Sequence, residues 1–93
     1  MKTIQIESCQ AIANFYGQHS QLMMAIEEMS ELTKEICKYE RFKGNESKLI
    51  DEIADVKIMV EQLEYILGVN KEVDSRITYK LERQLRRMEQ ERE

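Results

Sequence analysis

No proline occurs anywhere in this chain, and its 93 residues include only three glycines, at Gly17, Gly44 and Gly68. The glycines divide the chain into stretches of 16, 26, 23 and 25 residues. Each stretch is long enough for a helix, and no proline stands in any of them to break one. An all-β sandwich or barrel would need turn signals every ~8–12 residues, which are missing. The reading is therefore all-α: an antiparallel four-helix bundle-like protomer forming one domain over residues 1–93.

Apolar spacing supports four helices. The first carries Ile4, Cys9, Ile12, Ala13 and Tyr16. Gly17 and its neighbours break it, with Ser20 an expected cap for the second. Leu22, Ala25, Ile26, Met29, Leu32, Thr33 and Ile36 then repeat at three-four spacing. Lys43 to Ser47 reads as a turn, with Ser47 capping a third helix that ends at Gly68. Asn70 or Asp74 starts the fourth, which carries Val73, Ile77, Leu81, Leu85 and Met88.

The third helix is apolar on two sides. Val56, Met59, Leu63 and Ile66 cluster on one side, while Ala54, Ile58 and Tyr65 point the other way at ~100° per residue. Such a helix needs neighbours on both sides, and a chain this short has little material for both. We expect oligomerisation, as a homodimer or homotetramer, to complete the core.

Charge narrows the function classes. Eighteen acids against fourteen bases give a net charge of −4, which disfavours nucleic acid as a partner of the whole surface. The charges are segregated: Lys2 is the only base before Lys34, whereas seven bases lie between Lys71 and Arg92. No apolar run is long enough to span a membrane, and Met1 to Gln5 shows no signal-peptide core. Two cysteines, Cys9 and Cys37, make no disulfide framework and read as small buried residues in a reducing cytoplasm.

The most informative residues are two acidic pairs. Glu28 and Glu31 are three apart on the second helix, as are Glu52 and Asp55 on the third. Each pair therefore shares a face and aims two carboxylates at one point. Paired acids usually lie on a solvated face. Glu52 and Asp55 instead lie within the Val56, Met59, Leu63 and Ile66 stripe, and Glu28 borders the Ala25, Leu32 and Ile36 face. Carboxylates gathered beside a core repel, and burial disfavours their charged forms. A hard divalent cation with oxygen ligands is the natural compensation. His19 is the only histidine, which argues against zinc, and no Glu-x-x-His pair suggests a di-iron centre.

The pattern Glu27-Glu28-x-x-Glu31, then twenty residues, then Glu52-x-x-Asp55 resembles the signature of the MazG-like all-α nucleoside triphosphate pyrophosphohydrolases. That grouping includes the dimeric all-α dUTPases, and the resemblance covers about residues 12–88. It implies a cytoplasmic enzyme that cleaves a nucleoside triphosphate between its α- and β-phosphates, releasing the monophosphate and pyrophosphate. Glu28, Glu31, Glu52 and Asp55 would be the catalytic set and ligate Mg²⁺, with Mn²⁺ as a substitute. Lys80 and Arg83 resemble a lysine and arginine that often follow in the family and would bind phosphate. Gln84 stands where the family often has asparagine. Gln21 shares the Glu28 face and is a candidate contact for the base.

The basic residues have a pattern of their own. Arg76, Lys80, Arg83 and Arg87 occupy about 60° of the fourth helix, beside its apolar edge. That arrangement suits neutralisation of β- and γ-phosphates as well as a solvated face.

Hairpin geometry sets a further expectation. A turn centred at Gly44 would offset the two acidic pairs by roughly six residues, about 9 Å. Alignment needs the turn centred nearer Arg41, with the second helix fraying or bending before Gly44. Two other readings compete: a small helical chorismate mutase, disfavoured because the first forty residues contain no arginine, and a non-catalytic helical interaction or regulatory module.

Overall fold

The computed structural model describes residues 1–42 and 45–92. They form four α-helices: α1 (Thr3–Tyr16), α2 (Gln18–Phe42), α3 (Glu46–Leu67) and α4 (Asn70–Arg92). The all-α architecture expected from the glycine spacing is observed, and no strand occurs among the described residues.

The breaks are sharper than the sequence suggested. Gly17 has φ +89°, a conformation that L side chains rarely adopt, and its carbonyl accepts from Gln21 N at 3.1 Å. So α2 restarts directly after this glycine, and Ser20 lies inside the helix and not at its cap. At the next junction the cap is Asn45, whose side chain accepts from Lys48 N at 3.2 Å, and not Ser47. A cap belongs one residue before the first helical residue, and that residue is Glu46. Gly68 closes α3 in the left-handed region, φ +66°, with Val69 N bonded to Glu64 O at 3.0 Å. The expected turn at Gly44 lies outside the described residues.

α2 and α3 form the main hairpin, α1 packs on both, and α4 touches only α3 among the described residues. α3 thus has α2 and α1 as neighbours, and α1 also meets α2. Tyr65 OH donates to Asn14 Oδ1 at 2.9 Å and ties α3 to α1.

The buried apolar residues are few: Cys9, Ala13, Ala25 and Met59. Gln21, Glu35 and Gln62 are buried with them. Much of the α2 stripe remains open, with Ile26 at 58% and Ile36 at 51% exposure. Cys37 is exposed, contrary to expectation, because it lies on the outward side of α2 where no helix covers it. Phe15 and Tyr16 are also exposed and stack edge to face on each other, 4.9 Å between ring centres.

Candidate metal centre

Two contacts set the register of the α2–α3 hairpin. Gln21 Nε2 donates to Gln62 Oε1 at 2.8 Å, and Lys48 Nζ lies 3.4 Å from Glu35 Oε1. Both pairs are symmetric about the Arg41–Phe42 bond. The pairing register is therefore the one that alignment of the acidic pairs demanded, although α2 does not fray or bend as expected but stays helical through Phe42. Reflection about that bond sets Glu28 level with Asp55 and Glu31 level with Glu52.

The consequence is a convergence of carboxylates. Glu28, Glu52 and Asp55 can each offer one oxygen with all three atoms within 4.8 Å of one another. Glu31 is outside that trio, but its charge acts on Glu52. Three of the four expected acids thus meet directly, and the fourth borders them.

The electrostatics follow from crowding. Burial pushes the Glu28 carboxyl above its ordinary range, and the charges of Asp55, Glu52 and Glu27 push the same way. Glu52 is raised by burial first, then by Asp55, Glu31 and Glu35, with Lys48 opposing. Glu52 Oε2 is shielded from solvent and has no hydrogen-bond partner among the described residues. A buried acceptor without a donor is costly, and a cation is one way to satisfy it. The donor set fits a hard divalent ion, since every contributor is a carboxylate.

Glu35, Lys48 and Gln62 belong to this neighbourhood and were not singled out from the sequence. Glu35 is only 5% exposed and lies between Lys48 and Lys38, the latter at 3.7 Å. Its signal was present: Glu35 repeats the Glu28–Glu31 face one turn on, and Lys48 precedes Glu52 by four residues. Gln62 falls on the Asp55 and Met59 face, where a polar residue predicts a buried partner.

The remaining candidates lie elsewhere. Gln21 is 4% exposed, so its amide serves the hairpin through Gln62. It also lines a shallow depression with Tyr16, His19, Met23 and Met24. Lys80 and Arg83 lie on α4, which makes no contact with α2 among the described residues. There they line a concave patch with Ser75, Arg76 and Tyr79. The Arg83 guanidinium stands 5.7 Å from the Tyr79 ring centre, while its Nε is shielded and without a hydrogen-bond partner among the described residues. Among the described residues, no helix is long and apolar enough to cross a membrane.

No protein-family model, curated protein or solved structure matches this chain.

Proposed function

We propose that this chain is a Mg²⁺-dependent nucleoside triphosphate pyrophosphohydrolase, acting in the cytoplasm as a homodimer or homotetramer. The observation that carries the reading is the convergence of Glu28, Glu52 and Asp55 across two helices, with a shielded Glu52 oxygen lacking a donor among the described residues. The MazG-like spacing of the same acids names the reaction class.

Glu28, Glu52 and Asp55 would hold the cation, and Glu31 would complete the acidic wall beside Glu52. Mg²⁺ held there would supply charge neutralisation for the triphosphate and make a nearby water more acidic. Glu31, outside the trio, is the group best placed to orient that water and accept its proton. Lys80 and Arg83 would bind the β- and γ-phosphates, where their charge offsets that of the departing pyrophosphate. Burial and crowding raise both Glu28 and Glu52, and a cation held between them would offset that repulsion.

One observation favours a second reading, a non-catalytic helical module. The apolar stripe of α4 is open, with Ile77 at 49% and Leu81 at 61% exposure. Pyrophosphate release separates the two. Folded protein, checked by circular dichroism, is incubated with Mg²⁺ and a panel of ribo- and deoxynucleoside triphosphates. Release from at least one of them, lost in Glu52→Gln, supports the enzyme. No release from any of them overturns it.

A further inference from the structure

The bases of α4 gather on one side of the helix. At about 100° per residue, Arg76, Lys80, Arg83, Arg86 and Arg87 fall within a sector of about 140°, and Tyr79 lies inside it. Glu72, one turn before Arg76, is the only acid of that sector. Asp74, Glu82, Glu89 and Glu91 all lie outside it. None of the five bases has an ion pair among the described residues, whereas Arg92 meets Glu89 at 3.5 Å.

The sector suits a long anion. Arg76, Lys80, Arg83 and Arg87 advance along the axis in steps of about 6, 4.5 and 6 Å, close to the spacing of successive phosphates on an extended nucleic-acid strand. Tyr79 stands among them, 56% exposed, with the Arg83 guanidinium over its ring at 5.7 Å. Ser75, Arg76, Tyr79, Lys80 and Arg83 line a concave patch of about 520 Å³. Arg83 Nε is shielded there and has no partner among the described residues, which leaves a donor for a ligand.

The net charge of −4 does not cancel this face. The acidic pairs lie along the α2–α3 seam, and α4 makes no contact with α2 among the described residues. A single strand can follow one side of α4 and stay clear of those acids. A duplex is broader, and its bases are already stacked, so Tyr79 would have no role. An anionic bilayer fits less well. It would have to bury the Ile77, Leu81 and Met88 stripe, whose far border is Glu82 and Glu89.

We infer that α4 binds single-stranded nucleic acid, with Arg76, Lys80, Arg83 and Arg87 on successive phosphates and Tyr79 stacked on a base. Phosphate contact supplies most of the affinity, and neither contact reads sequence. Lys80 and Arg83 also carry the phosphate role proposed above. Arg76, Arg87 and Tyr79 do not, and strand binding requires no nucleotide hydrolysis.

Fluorescence anisotropy with labelled oligo(dT) and oligo(U) of about twelve nucleotides tests it. Binding should be saturable at low salt. The logarithm of the binding constant should fall against that of salt with a slope of about −3, as four phosphate contacts on a single strand require. Arg76→Ala/Arg87→Ala should weaken binding and reduce the slope to about −1.4. Tyr79→Ala should weaken it about 5- to 100-fold at an unchanged slope, and Tyr79→Phe should bind as wild type does. No α4 residue is buried, so these variants keep the fold, which circular dichroism checks. Binding to one strand alone supports the inference and names DNA or RNA as the source. No saturable binding to either strand overturns it, as does tighter binding to a duplex of equal length. Wild-type affinity in Arg76→Ala/Arg87→Ala or in Tyr79→Ala also overturns it. Adsorption to phosphatidylserine vesicles without strand binding overturns it in favour of a lipid surface. Pyrophosphate release is no part of the readout, so strand binding and the proposed activity stand or fall separately.

Discussion

Gln21 donates to Gln62 at 2.8 Å inside the α2–α3 hairpin, and the two side chains are only 4% and 1% exposed. Two turns along the same hairpin lie Glu28 and Asp55. The amide pair therefore holds the register on which the carboxylate convergence depends.

Breaking one side of that pair leaves a buried amide unsatisfied. Gln62→Leu should destabilise the protein by about 1–3 kcal/mol. Gln21→Leu/Gln62→Leu should recover most of the loss, because no orphan remains. Urea unfolding of the three proteins checks this.

Glu35 is a buried carboxylate held by two lysines, and Lys48 reaches it from the opposite helix. Lys48→Met should cost about 1–2 kcal/mol, limited because Lys48 is half exposed and Lys38 remains. Glu35→Gln/Lys48→Met should show non-additive losses in a double-mutant cycle, whereas additive losses would mean the pair contributes nothing.

Crowded acids repel one another, and a bound cation would relieve that repulsion. Wild type should gain about 2.7 kcal/mol in Mg²⁺ at a hundredfold excess over its dissociation constant. Glu52→Gln should be at least as stable as wild type without Mg²⁺, gain little from it, and lose turnover. Thermal melts with and without Mg²⁺ read all of this, and an unchanged wild-type Tm would count against the site.

The same crowding sets a pH dependence. Glu28 and Glu52 titrate above 4.5 in the folded chain, so between 4.5 and their raised values the folded state binds more protons than the unfolded state. Stability contributed by these groups is therefore present at low pH and lost as pH rises through that window. Metal-free wild type should fall in stability more steeply above pH 4.5 than Glu28→Gln/Glu52→Gln. Denaturant melts at stepped pH with chelator present test the difference in slope.

Much of the fold was legible because helices are local. Gly17 and Gly68 mark breaks since their positive φ suits glycine, and the three-four spacing of Ala25, Met59 and their neighbours marks inward faces. The acidic pairs were legible for the same reason, since three-residue spacing fixes a shared face whatever packs against it. The caps at Asn45 and Gly17 were missed by two and three residues, because Ser47 and Ser20 compete with them on composition alone.

The chain's residues by themselves determine four helices, the face on which each acid lies, and the separation of an acidic body from a basic fourth helix. Tertiary structure alone decided that the hairpin is symmetric about Arg41–Phe42, that Glu35 is buried between lysines, and that α4 leaves its apolar stripe open. The physical reason is range. Periodicity is written by residues three and four apart, whereas register and burial depend on which distant face meets which, and no local pattern carries that choice.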